Sequence, residues 1–522
     1  VRLLAFLLLA SAAGAQDYDL LITGGRVVDG TGGSWYLADV AIKGDSIAAV
    51  GYLRGRSAAR TLEAKGLVVA PGFIDIHSHA RRGILDSPAA ENCIRQGVTT
   101  VIEGVDGGSP LPLAPFLQKV AEARPAINFA TFVGHGTVRS EVIGSVDRKA
   151  APEEIRRMED LVRQAVREGA VGLSTGLFYV PGNYAPTEEV IALARIVAGY
   201  GGMHQSHMRE ESAHVLDSVR ETIRIGEEGG LPTQITHHKI VGKSNWGRSN
   251  ETIALVESAR ARGVDVTIDQ YPYTASSTGT AAMFPQWSLE GGSPALLARL
   301  KDSATRARIK QAIVANILEN RGGGDAKNVV MASCGHDASL GGKSLARIAD
   351  ERGMAPTPEN AAEIAMEIQE KGGCSAIYHS IHEDDVERIL RYPFTMVASD
   401  GGIPKFGDGV PHPRNYGTFA RVLSRYVRER KVLSLEDAVR RMSALPANRL
   451  MLTDRGVLRP GMKADIAVFD PATVTDKATF TEPHQYAEGF RHVIVNGSVT
   501  LLDGKMTGER SGRVLYGAGY GK

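Results

Sequence analysis

Imidazole and carboxylate side chains stand where a series of apolar runs end: His77 and His79 close VVAPGFIDIHSH, His207 closes GGMHQSH, His237 and His238 close PTQITHH, and Asp400 closes FTMVASD. Residues two apart on a strand point the same way, so His77 and His79 converge on one spot. Neutral imidazole and carboxylate suit Zn²⁺ or a similar divalent ion, Mn or Fe included. Ligands drawn from several strand ends can surround one or two such ions while leaving room for water. A metal so held brings the pKa of its water toward about 7 and polarises a carbonyl. Asp400 beside that water can take its proton and pass it to a leaving nitrogen. Each residue also has a plainer reading: His207 can start a helix, one of His237 and His238 must point away from the other, and Asp400 before two glycines can cap a turn. Their recurrence at matching strand ends argues for one metal-dependent hydrolytic centre.

The elements that must position these residues alternate apolar strands with amphipathic helical stretches such as PEEIRRMEDLVRQAVREG. That alternation predicts a parallel sheet. The strand candidates FIDIHSH, TTVIEGVDG, INFATFVGHG, AVGLSTGLFY, GGMHQSHM, PTQITHHK, VDVTIDQYPY and FTMVASDGG make eight, the number of a (β/α)₈ TIM barrel, with the polar residues at their C-terminal ends. Short alternating strands with glycine turns occupy 16–70 and return in 452–522, which predicts one small β-sandwich built from both chain ends. The barrel then spans 71–451. Residues from about 284 to 391 are too many for one loop and form an inserted lid subdomain before the last strand.

With 60 basic and 59 acidic residues the net charge is +1, which gives no general attraction to nucleic acid or anionic membrane and leaves a small-molecule substrate as the expected partner. VRLLAFLLLASAAGA, positions 1–15, has the form of a signal peptide with an A-x-A site before Gln16. Its apolar run is shorter than the roughly 20 residues of a spanning helix. The expectation is a periplasmic or secreted protein without a stable membrane span. Cys93, Cys334 and Cys374, an odd number without paired spacing, predict neither a disulfide framework nor a cysteine-based zinc motif.

The segments APGFIDIHSH, GLSTGLFY, SHMRE, THHKIVGKSNWGRS, DQYPYTASST, ASDGG and HPRNYGTF, in this order, resemble the N-acyl-D-amino-acid deacylase (D-aminoacylase) family of the amidohydrolase superfamily, across nearly the whole mature chain. The resemblance implies a distorted barrel beside a sandwich, with an inserted lid, and a hydrolase of linear amides that converts N-acyl-D-amino acids to a carboxylate and a D-amino acid. It further implies that His77, His79 and Asp400 form a weaker metal site, that His207 and His237 belong to a tight zinc site, and that His238 is a structural neighbour. Tyr179 matches a tyrosine that polarises the scissile carbonyl. Lys239 and Tyr271 match groups that hold the α-carboxylate, and Arg414 matches an arginine near the substrate. His135, at the third strand end, is a further candidate for lining the pocket.

One departure stands out. The family's third tight-site ligand is a cysteine at the end of the second strand, where this chain reads VIEGVDG. Asp106 occupies that position, and Glu103, with a longer side chain, is the alternative; a third possibility is that neither binds. A carboxylate is a harder donor than a thiolate and favours an evenly filled two-metal site or a different ion. Two other readings stay open at this level: a cyclic amidase of dihydroorotase or hydantoinase type, or a dipeptidase, on the same site, and a catalytically inactive binding protein on the barrel.

Overall fold

The computed structural model describes residues 16–522; the signal peptide expected at 1–15 lies outside them. The barrel strands are Phe73–Asp75, Val98–Glu103, Asn128–Thr131 continuing into Val133–Gly134, Gly172–Gly176, Met203–His207, Thr233–Ile235, Val266–Gln270 and Thr395–Val397, all paired in parallel. The ring closes between the first and last of them through a bridge at Ser78 and Gly401, with Asp400 N–H donating to His77 O at 2.9 Å. The seam of the barrel therefore runs through the residues of chemical interest. Helices cover the outside. Pro152–Arg167 shows why such a stretch is helical: proline stands in its first turn, Glu154 accepts the Ala151 N–H at 2.7 Å, and Met158, Val162, Ala165 and Val166 recur on one buried face.

Strands from both chain ends make one nine-stranded sheet, in which Ile466–Phe469 pairs antiparallel with Val68–Pro71 and the latter pairs parallel with Tyr18–Val27. The sheet folds onto itself around a shared core that includes Ile22, Val40, Ile42, Ile466 and Ile494, which makes it a sandwich. Its last strand ends at Met506. Residues 507–522, expected within the sandwich, instead run under the barrel: Phe129 bridges Val514, and Gly517 N–H donates to Gly169 O at 3.0 Å.

The insertion has its own core, with Ile309, Ile313, Ile317, Leu345 and Ile364 packed together, around an antiparallel sheet of Ser276–Gly279, Val329–Ser333 and Ser375–Tyr378. It thus begins before 284. Helix Glu383–Arg391, expected inside it, packs on the barrel, with Val386 and Leu390 in the main core. Cys334 and Cys374 are joined by a disulfide within this subdomain, contrary to the expectation of no disulfide framework; Cys93 is free and buried. A separation of 40 residues leaves no local pattern from which the pair is recognisable. Among the described residues no helix is long and apolar enough to cross a membrane.

Candidate metal centre

Two groups of potential ligands meet at the C-terminal mouth of the barrel, His77, His79, Asp106 and Asp400 in one and Asp106, His207 and His237 in the other. Asp106 belongs to both. Its Oδ1 lies 3.5 Å from His77 Nε2, 3.5 Å from His207 Nδ1 and 3.3 Å from His237 Nε2, while Oδ2 lies 3.5 Å from His79 Nε2. Asp400 Oδ1 stands 3.4 Å from His77 Nε2 and 3.0 Å from His79 Nε2. Glu103, the alternative to Asp106, is in neither group: its buried carboxylate accepts the Arg81 backbone N–H at 3.0 Å and faces the Arg81 guanidinium at 3.4 Å. Glu103 ends its strand facing Arg81, and the turn beyond it carries Asp106 to the centre.

Three of these residues hold left-handed backbone: Asp106 with φ 55°, His237 with φ 35° and Asp400 with φ 50°. Each costs roughly 1–2 kcal/mol for a residue with a Cβ, a strain that persists where surrounding structure fixes a functional geometry. The orphaned atoms point to the same use. His77 Nε2 and Asp106 Oδ1 are buried and have no hydrogen-bond partner among the described residues. Buried polar atoms are ordinarily paired, so a shared lone-pair cluster of this kind fits a divalent cation.

The charges behind the ligands set their state. Thr236 Oγ1 donates its only proton to Asp269 at 2.5 Å, so towards His77 Nδ1, also 2.5 Å away, it can only accept. That assigns the N–H to Nδ1 and turns Nε2 toward the centre. Burial disfavours the charged form of His77, yet Asp106 and Asp400 raise its pKa well above the usual imidazole range. Asp106 is opposed by burial and held well below the carboxylate range by His77, His237 and His207. Asp400, also buried, is held low by Arg414, which donates to its Oδ2 at 2.7 Å, and by His77. A field that raises an imidazole pKa this way is one that attracts a cation.

The cleft above the centre has a volume of about 600 Å³ and is lined by barrel ends and by Ser276–Gly279 of the insertion. Tyr179 lines it with its ring 4.6 Å from that of His207 and its hydroxyl 3.1 Å from Thr278 Oγ1; burial and the nearby Asp106 keep the phenol protonated. Tyr271 lines it with a buried hydroxyl that lacks a partner, and Arg414 lies 4.9 Å over its ring. Lys239 is buried, with Nζ 2.5 Å from Glu211 Oε1 and 2.8 Å from both the carbonyl oxygen and Nδ1 of His237. His238 points away and bonds Thr252 Oγ1 at 2.8 Å. His135 does not reach the cleft. It opens helix His135–Ile143, fully buried, with Nε2 2.9 Å from Glu189, which also pairs with Arg139.

Two further residues of this region are not among those expected from the sequence. Glu211 sits behind the second group, 3.3 Å from His237 Nδ1 and 4.0 Å from His207 Nε2. Burial opposes its charge, and Lys239 and His207 hold its pKa well below the usual range. Arg321, from the insertion, also lines the cleft. An acid four residues after a presumed ligand on a helix-like run is a usable hint for Glu211; for Arg321 the sequence offers none.

The family model described as "Amidohydrolase family" matches residues 60–501. D-aminoacylase of Alcaligenes xylosoxydans xylosoxydans is 38% identical, over 97% of this chain and 99% of that protein. The crystal structure of D-aminoacylase superposes with a TM-score of 0.81 at 38% identity, covering 96% of this chain and all of that one. N-acyl-D-glutamate deacylase from Bordetella bronchiseptica, solved with zinc and a phosphonate mimic of the tetrahedral intermediate, gives a TM-score of 0.81 at 35% identity over 96% and 99% of the two chains. With its closed barrel, its two-ended sandwich and its ligand groups at the barrel mouth, the chain belongs to the amidohydrolase family, in the branch of D-aminoacylase and the related N-acyl-D-amino-acid deacylases.

Proposed function

We propose that this protein is a metal-dependent hydrolase that deacylates N-acyl-D-amino acids, with Zn²⁺ as the fitting ion. The observation that carries the reading is Asp106, shared by two ligand groups beneath a cleft lined by Tyr179, Tyr271 and Arg414. A divalent ion there supplies Lewis acidity and a more acidic water. His77, His79, Asp106 and Asp400 would hold one ion, and Asp106, His207 and His237 a second. Asp400, its second oxygen fixed by Arg414, accepts a proton from water and returns it to the departing amine. Tyr179, protonated and facing the cleft, donates to the carbonyl oxygen as charge develops on it. Likeness to deacylases at 38% and 35% identity over nearly full length supports the substrate class. Export to the periplasm or beyond is part of the proposal, supported by the Cys334–Cys374 disulfide, since such bonds persist in oxidising compartments.

The test is a hydrolysis screen of N-acyl-D- and N-acyl-L-amino acids on the zinc-loaded protein, with Asp400→Asn as the control. Turnover of the D series is expected, together with a loss of about 10²- to 10⁴-fold in Asp400→Asn. A fully loaded protein that hydrolyses neither series overturns the function; full turnover by a metal-bearing Asp400→Asn overturns the role of Asp400.

A further inference from the structure

Arg321 is 4% exposed, yet its guanidinium makes no hydrogen bond among the described residues. The acid that it faces, Glu211, lies 3.7 Å away and is already bonded by Lys239 at 2.5 Å. The guanidinium rests 4.3 Å over the ring of Phe178, next to Tyr179, and its side chain lines the cleft. Two cations thus surround one carboxylate, and the guanidinium of Arg321 keeps donors to spare. Tyr271 adds a second unpartnered buried group to the same cleft.

The placement of Arg321 is rigid. It follows helix Ser303–Glu319, and its backbone N–H donates to Asn316 Oδ1 at 3.2 Å. A Cβ on Gly322 would collide with the backbone of Ile317, so only glycine lets the turn fold tightly there. A Cβ on Gly242, which has φ 88°, would strike Glu319 O. Gly242 follows Lys239 by three residues, so this close approach docks the end of the insertion's helix on the loop that leaves the His237 strand.

The geometry points to Arg321 as a specificity-determining residue that binds a carboxylate of the substrate, a role that rests on the deacylase reading above. The planar guanidinium fork matches a carboxylate, and with the phenol of Tyr271 it offers donors from two sides. Lys239 donates to Glu211 and to the His237 carbonyl oxygen and contributes charge to this pocket. The barrel thus supplies the reaction centre while the insertion supplies the selector.

The experiment measures kcat and KM of the zinc-loaded protein, Arg321→Met, Arg321→Gln and Arg321→Lys. One substrate pair is N-acetyl-D-alanine and its primary amide, which differ at the α-carboxylate; the other is N-acetyl-D-glutamate and N-acetyl-D-glutamine, which differ at the side chain. Loss of a charge-assisted pair is expected to raise KM for the carboxylate member by about 10- to 100-fold, with kcat and metal content little changed and Arg321→Lys intermediate. Collapse of the preference in the first pair assigns the α-carboxylate to Arg321, and collapse in the second assigns the side-chain carboxylate. A wild-type protein active on these substrates whose Met or Gln variant keeps both preferences overturns the role of Arg321 alone, even if the variant melts at a lower temperature. Should Arg321→Met not fold, Arg321→Gln decides. A wild-type protein inactive on all four overturns the deacylase reading and this inference with it.

Discussion

The two ligand groups share Asp106 and differ in almost everything else. His77, His79 and Asp400 come from the seam where the first and last strands meet, and His79 reaches the cleft with a side chain 23% exposed. Asp400 there is tied down by Arg414 on one oxygen and left facing the imidazoles with the other. His207 and His237 come from adjacent strands in the middle of the sheet, are almost fully buried, and have Glu211 and Lys239 packed behind them. One group is open on the side where a proton must come and go. The other also lines the cleft but is more deeply buried, with its charges balanced by Glu211 and Lys239. The difference lies less in the ligands than in what stands behind them.

Loss of Asp106, which the two groups share, has the largest expected effect. Asp106→Ala is expected to lower metal content in both groups and turnover by more than the roughly 10- to 100-fold typical of losing a residue behind a ligand. Elemental analysis checks it, and full retention of metal by the variant would sever the two groups. Next in size is Glu211→Gln, which touches one group only. Metal affinity measured by competition with a chelator should fall about 10- to 100-fold for one class of ion while the other keeps its wild-type value; equal loss from both would erase the distinction. The smallest effect lies outside both groups. Burial, and then His135, push the His204 pKa down to about 3, whereas an unfolded histidine titrates near ~6.5. The unfolded state therefore binds more protons between these values. The contribution of His204 is complete above about 6.5 and is lost as pH falls toward about 3. His204→Gln should flatten acid unfolding followed by circular dichroism, and an unchanged pH profile would count against it.

The eight strands were legible because each apolar run ends in polar residues at the barrel mouth, and the two-ended sandwich because its alternation returns after the barrel. Side-chain direction at a strand end was less so. His135 and His207 occupy similar places in the sequence pattern, yet His135 begins a helix and turns into a buried pair with Glu189, while His207 faces Asp106. A strand assignment leaves the first residue after it undetermined. Glu103 and Asp106 illustrate the same limit, since three residues of turn separate an acid bound to Arg81 from one at the centre. Glu211 hides in a run of charges that reads as a solvated helix start, and Arg321 in an N-R-G-G-G turn that reads as a surface connection. Both acquire meaning only from distant neighbours. The disulfide was missed for the same reason.

The segment after Met506 bears on how the molecule is made. Leu515 N–H donates to Phe129 O at 2.7 Å, and Gly512 N–H donates to Pro125 O at 2.9 Å, so the floor of the barrel is finished by the segment that follows the sandwich. The sandwich likewise joins the first strands of the chain to some of the last. Contacts of such long sequence separation form slowly and leave apolar surface uncovered meanwhile. A chain that lacks the residues from Ile466 onward lacks both the far half of the sandwich and the base of the barrel. Neither the barrel floor nor the sandwich is complete until segments far apart in the sequence have met.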